Sequence, residues 1–314
     1  GASIAVTDAG TVEGFPFELV AQDTQGTPEG GASVANKLAT DPTIVAIAGH
    51  IFSGSTEAAM PIYEKAGIPM MSPSATNPPL TTLGSTVFNR IAFTDAVQGK
   101  FAAEYLYNKL GFRKIAVVHD GGAYGQGLAD VVRAEFTALG GEVVGYEAIT
   151  PGETDYTATL SALAAKNPEA IYFGVYVAEG VVLANNMKQS GLENVVFFGC
   201  DGTYGSEFVD KTGANGEGAY AASLIPPESE AKKKFDADYL AAFGIPTGSL
   251  TPYSWGGYDA ATVLMAKVKE VAVLGADGSL YVPRGALVEA VRNTSGFASI
   301  TGDITCNDVG ECNT

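Results

Sequence analysis

Short apolar runs alternate with longer segments of helical period along nearly the whole chain. They begin with FPFELVAQD, GGASVANKLATD, IVAIAGH, SGSTEAAMPIYEKAG and IPMMSP. Parallel strands need a crossover between them, and a helix supplies it, so this alternation specifies parallel sheets covered by helices. The pattern resumes with DAVQGKFAAEYLYNKLG, KIAVVHD, YGQGLADVVRAEFTALG, EVVGYEAI, DYTATLSALAAKN, AIYFGVY, AEGVVLANNMKQSG and VVFFGCD. Two such runs imply an α/β chain with two doubly wound parallel-sheet lobes. The switches between lobes fall in the irregular NRIAFTD and in AASLIPPES, where Pro226 and Pro227 can continue neither a strand nor a helix. Helices are expected from Glu228 to Phe243, Tyr253 to Val273 and Pro283 to Asn293. They are assigned to the first lobe, because tandem domains would leave residues 225–314 nearly all helical with no sheet to cover. The expected division is 1–93 and 225–314 for lobe 1 and 94–224 for lobe 2.

At 314 residues the chain exceeds the size at which one hydrophobic core stops growing, which agrees with two lobes. Eighteen Lys and Arg against thirty-five Asp and Glu give a net charge of −17, which repels phosphate backbones and argues against a nucleic-acid partner. No run of eighteen apolar residues occurs. The opening GASIAVTDAG reads as a helix and carries neither the basic start nor the apolar stretch of a signal peptide, so any leader would precede Gly1. Cys306 and Cys312 flank the turn-like NDVGE, a spacing that suits a disulfide across a hairpin and an oxidising compartment. Cys200 is then left as a free, buried thiol. No metal site is expected: His50 and His119 each end a predicted strand, far from any cysteine pair.

The usual signatures of catalysis are missing: there is no GxxxxGK[ST], no GxGxxG opening a helix, no HExxH and no GxSxG. No catalytic residue and no cofactor are assigned. Two polar clusters follow apolar strands instead. After IVAIAGHIF come Ser53, Gly54, Ser55 and Thr56, which lead into a helix. They would either cap it or present hydroxyls and unpaired N–H groups to a carboxylate. After IPMMSP come Ser74, Ala75 and Thr76. In the second lobe Tyr124, Tyr176 and Asp201 stand at equivalent strand ends, where open α/β sheets bind ligands. Asp201 suits an ammonium group, or else simply opens the turn DGTYG.

These stretches resemble the periplasmic leucine/isoleucine/valine-binding family of ABC-transporter receptors. GHIFSGST, PIYEKAGIPMMSPSATNPPLT, KIAVVHDGGAYGQG, ITPGETDYTATL and FFGCDG match together and in order over nearly the whole chain. The resemblance implies the type I periplasmic-binding fold, with two lobes joined by a hinge that close on a free amino acid. It implies that Ser53 and Thr76 hold the ligand carboxylate, while the Ser74 carbonyl and Asp201 hold its ammonium. Tyr124 and Tyr176 close the second lobe over the ligand, and Ile51 and Phe52 line its side-chain pocket beside Ala75. Branched-chain receptors often carry Glu where Asp201 stands, so specificity is the least transferable part.

The partners implied are an amino-acid ligand and the membrane permease of an ABC transporter, with the protein a monomer. The expected location is periplasmic or extracellular, with lipid anchoring through a preceding N-terminus a further expectation. Members of the family normally begin with a buried strand and a glycine-rich loop and end with strands of a third crossing. Here Gly1 falls at the following helix and Thr314 just before that crossing, so the reading expects a chain truncated at both ends. The rival readings are a ligand-sensing or regulatory domain on the same fold and, third, an α/β enzyme.

Overall fold

The computed structural model describes residues 1–312. They separate into two compact units. The first holds Gly1–Phe93, Pro226–Thr247 and the chain from Tyr253 onward, and the second holds Thr94–Ile225 and Gly248–Pro252.

The first unit opens with helix α1 (Ala2–Ala9) and a tight antiparallel hairpin of β1 (Thr11–Val12) and β2 (Phe15–Pro16). FPFELVAQD was expected to be a strand, yet only its first two residues pair. Pro16 has no N–H to continue a ladder, and the segment runs on without one through Thr24. Helix α2 (Pro28–Ala39) begins where its sequence dictates, with Pro28 in the first turn and the Thr27 hydroxyl accepting from Gly30 N at 3.0 Å. Strand β3 (Ile47–Ala48), helix α3 (Ser53–Ala66), strand β4 (Met70–Ser72) and strand β5 (Phe88–Arg90) follow. The three strands form a parallel sheet in the order β3-β4-β5. Helix α2 crosses α3 so closely that a Cβ on Gly31 would stand 2.4 Å from the Ser55 carbonyl oxygen. Glycine at 31 therefore sets the depth of the first turn of α3.

The second unit starts with α4 (Asp95–Glu104), which runs into a π-turn at Tyr105–Lys109. Then come β6 (Lys114–His119), α5 (Ala123–Ala138), β7 (Glu142–Ala148), α6 (Thr157–Ala164), β8 (Ala170–Gly174), α7 (Val177–Met187), β9 (Val196–Gly199), α8 (Ser206–Thr212) and β10 (Tyr220–Ala221). The five strands are parallel in the order β10-β9-β8-β6-β7. Strands β6 and β8 are buried on both faces apart from Lys114, and their side chains divide by twos. Ile115, Val117 and Tyr172 pack with Leu128, Val132 and Phe136. On the opposite face Ala116, Val118, Ile171 and Phe173 pack with Leu160, Leu163 and Leu183. The chain goes from β6 to β7 on one side and then back to β8 on the other. The topological switch point lies between β6 and β8.

The chain returns to the first unit with α9 (Glu230–Phe243), α10 (Ser254–Val271), a hairpin of β11 (Val273–Leu274) and β12 (Leu280–Tyr281), α11 (Arg284–Arg292), and a last hairpin of β13 (Phe297–Ala298) and β14 (Asp303–Ile304). Helix α10 packs Ala260, Val263, Leu264 and Val268 with Met71 and Ile91, covering the face of the small sheet opposite α3. The expected assignment of residues 225–314 to the first lobe differs from the structure at Gly248–Pro252, which pack with the second unit. Ser206 N donates to the Ser249 carbonyl there at 2.6 Å. Cys306 and Cys312 are joined by a disulfide, and Cys200 is free and buried. Among the described residues no helix is long and apolar enough to cross a membrane. Thr314 lies outside the described residues.

Candidate functional site

In the first unit the two serine- and threonine-rich loops are latched to each other. Ser72 Oγ donates to the His50 carbonyl at 2.5 Å and accepts from Ala75 N at 2.9 Å. Ser74 Oγ donates to the Ile51 carbonyl at 2.7 Å, and Ser53 Oγ accepts from Asn77 N at 3.3 Å. The loop after β3 and the loop after β4 thus form one polar ledge at the carboxyl ends of adjacent strands. The N-cap of α3 is Phe52, which has no side-chain capping bond. The hydroxyls of Ser55 and Thr56 turn back to the carbonyls of Phe52 and His50 instead. The first-turn N–H groups keep the positive dipole end of the helix, which favours an anion. Beside them Thr76 is fully buried, and its Oγ1 has no hydrogen-bond partner among the described residues. A buried hydroxyl left unbonded costs about 1–3 kcal/mol, so the position is built for a polar group from elsewhere. Ile51 is exposed and Phe52 half-buried; with Phe17, Leu38, Leu264 and Met265 they line a cavity of about 420 Å³ within this unit. Ala75 is fully buried.

In the second unit the structure brings Tyr124, Tyr176 and Asp201 together. Tyr124 stands in the first turn of α5, after β6, and Tyr176 is the N-cap of α7, after β8, so the two flank the switch point. Their rings stack with centroids 5.0 Å apart. Tyr124 Oη donates to Asp201 Oδ1 at 2.6 Å and accepts from Gly202 N at 3.0 Å. Asp201 opens a 3-10 turn after β9 and is only 5% exposed. A Cβ on Gly125 would lie 2.2 Å from the Gly174 carbonyl oxygen and 2.3 Å from Asp120 Oδ1. Glycine there lets α5 seat its first turn, and Tyr124 with it, against the end of β8.

Sequence reasoning missed Asp95, the first residue of α4, which is fully buried. Burial first, and then the charges of Asp201 and Asp95 among others, push the phenols of Tyr124, Tyr172 and Tyr176 well above their ordinary values. A cation is the natural complement of buried carboxylates set beside aromatic rings. The signal was present in NRIAFTD, an irregular stretch that ends on an acid before a helix. Arg90, also fully buried, was missed as well; its Nη1 donates to the carbonyls of Ala75 at 3.1 Å and Asn77 at 2.7 Å. His50 is buried against Tyr63, with Nε2 3.1 Å from the hydroxyl, and burial pushes its pKa down to about 4. Burial pushes the Cys200 thiol up to about 12, a poor nucleophile.

The periplasmic binding protein family profile matches residues 1–309. An amino acid binding protein of Pseudomonas aeruginosa is 37% identical over 216 residues, which is 68% of this chain and 58% of that protein. The Leu/Ile/Val-binding protein BraC3 of Rhizobium johnstonii is 31% identical over 318 residues, covering 99% of this chain and 82% of that one. Among solved structures, a leucine binding protein, LivK, of Thermotoga maritima superposes with a TM-score of 0.87 at 28% identity, over 99% of this chain and 86% of that chain. The branched-chain amino acid transporter substrate binding protein LivJ of Streptococcus pneumoniae, in complex with isoleucine, does so with a TM-score of 0.85 at 27% identity, over 100% and 87%. Two parallel-sheet units with polar loops at their strand ends, and a family profile that matches residues 1–309, make the chain a member of the periplasmic binding protein family, of the type I fold, with Leu/Ile/Val-binding proteins among its relatives.

Proposed function

We propose that this protein captures a free aliphatic L-amino acid outside the cytoplasmic membrane and delivers it to the permease of an ABC transporter. The ligand's carboxylate binds at Ser53, Thr76 and the first-turn N–H groups of α3. Its ammonium binds at Asp201 and the Ser74 carbonyl, with Tyr124 and Tyr176 against its apolar part and Ile51, Phe52 and Ala75 toward its side chain. The observation that carries this reading is the pairing of opposite preferences. An unbonded buried hydroxyl beside a helix start favours an anion, and a buried carboxylate beneath stacked phenols favours a cation. A zwitterion answers both. Binding shifts the protein toward whichever conformation holds the ligand better, which is the signal a permease needs. The protein acts as a monomer and carries out no reaction on its ligand.

A thermal-shift screen against the twenty amino acids, γ-aminobutyrate, urea and short amides tests the reading. A ligand at one hundred times its dissociation constant adds about 2.7 kcal/mol of stability. Leucine, isoleucine or valine should raise the unfolding midpoint, whereas urea and the amides should not. A screen in which no amino acid moves the midpoint would overturn it.

A further inference from the structure

We propose that Arg90 is a positioning residue for the carboxylate-binding loop, and that the disulfide-closed turn Cys306–Cys312 fixes where Arg90 stands. The inference rests on the reading that Ser74 to Thr76 touch the ligand. Arg90 ends β5 with no exposed surface, although arginine is almost never fully buried unless paired. Its Nη1 donates to the carbonyls of Ala75 at 3.1 Å and Asn77 at 2.7 Å, the two residues on either side of Thr76. One guanidinium edge therefore sets the orientation of the only residue between them, whose own buried Oγ1 makes no bond among the described residues.

What holds Arg90 lies 221 residues away in sequence. Glu311 takes its guanidinium in a fork, with Nε donating to Oε2 at 2.8 Å and Nη2 to Oε1, and Oε1 also accepts from Thr81 Oγ1 at 2.7 Å. The backbones are tied as well: Arg90 N donates to the Gly310 carbonyl at 2.8 Å, and Cys312 N donates to the Arg90 carbonyl at 2.8 Å. Gly310 is required for this approach, because it has φ of +89° and a Cβ there would meet the Phe88 carbonyl oxygen at 2.2 Å. Glu311 is itself placed by the turn, whose Asn307 Oδ1 accepts from Glu311 N at 3.0 Å and which the disulfide closes on both sides. Disulfide, Glu311, Arg90, loop carbonyls and Thr76 form one contiguous series. A buried ion pair gives little net stability over an apolar replacement, so stability alone does not account for it; a rigid bidentate fork aimed at two loop carbonyls does account for geometry.

Calorimetric titration of the whole chain with L-isoleucine, alongside unfolding of the ligand-free protein, separates positioning from plain stabilisation. Glu311→Gln and the double variant Cys306→Ser/Cys312→Ser should weaken binding about tenfold, the loss of one well-placed hydrogen bond to the ligand. Arg90→Lys, which keeps the charge but loses the fork, should weaken it at least as much. Arg292→Lys is the control: Arg292 clamps the Ser85 and Phe88 carbonyls and the Asp308 carbonyl, so it braces the same strand and turn without touching residues 75–77. It should lower the unfolding midpoint and leave isoleucine affinity within about twofold of wild type. Wild-type affinity in Glu311→Gln and in the double serine variant, with lowered midpoints, would overturn the proposal and leave the series a structural brace. Should Arg90→Lys fail to fold, those two variants still decide. A wild-type protein that binds no amino acid would sink the ligand assignment first and this inference with it.

Discussion

Replacing Asp201 with Asn keeps the side chain's size and an acceptor for the Tyr124 hydroxyl, which now donates to Asp201 Oδ1 at 2.6 Å. What it removes is one negative charge at a position only 5% exposed. Breaking a fully buried ion pair by deleting one partner costs about 3–5 kcal/mol, because the remaining charge is left desolvated. Here the expected loss is smaller, since Asp95, a second buried carboxylate, also acts on Tyr124, Tyr172 and Tyr176. A net loss of roughly 2–3 kcal/mol corresponds to a rise in dissociation constant of about thirtyfold to 150-fold. Stability of the ligand-free protein should move the other way or not at all, because the substitution removes a buried charge. Calorimetry with L-isoleucine measures the first quantity and thermal unfolding without ligand the second. Unchanged affinity in an intact Asp201→Asn protein would return Asp201 to the role of a turn residue and refute the electrostatic argument.

Mass spectrometry without reductant should find one alkylatable thiol, Cys200, and only after unfolding, whereas removing the Cys306–Cys312 bridge should cost about 2 kcal/mol for so short a loop. Gly125→Ala forces its Cβ against the Gly174 carbonyl and Asp120, so it should destabilise by about 1–3 kcal/mol and weaken isoleucine binding by displacing Tyr124; wild-type values on both counts would contradict the close packing of α5. His50 titrates at about 4 in the folded protein and near 6.5 unfolded, so the neutral form is preferred on folding. Its contribution is therefore present above pH ~6.5 and is lost as the pH falls toward about 4, an effect on the order of 3 kcal/mol. The His119 pKa is lowered as well, mainly by burial, so His50→Gln should flatten that acid slope without abolishing it, as denaturant titration at stepped pH would show.

The central strands of the second unit were legible because β6 and β8 are buried on both faces and so read as unbroken apolar runs. Their ends then located Tyr124 and Tyr176 by position alone. The run FPFELVAQD misled, since apolar content says nothing of whether a partner strand is available, and Pro16 ends the pairing. Ser53 to Thr56 read either as capping residues or as donors to a carboxylate; the cap fell one residue earlier, on Phe52, while Ser53 Oγ is taken up by Asn77 N and Ser55 Oγ turns back to the Phe52 carbonyl. Arg90 and Glu311 could not be paired from sequence: 221 residues separate the guanidinium from its carboxylate, and no local pattern links them. Asp95 was hidden in the same way, its meaning set by phenols from two other strand ends.

The most direct measurement is a calorimetric comparison of L-isoleucine with two relatives that keep its side chain, the 2-keto acid that lacks the ammonium and the amine that lacks the carboxylate. If opposite charges are held by Asp201 and by the Ser53–Thr76 ledge, only the zwitterion should bind tightly, and each relative should lose at least a hundredfold, about 2.7 kcal/mol. Keto acid or amine binding as tightly as isoleucine would contradict the account.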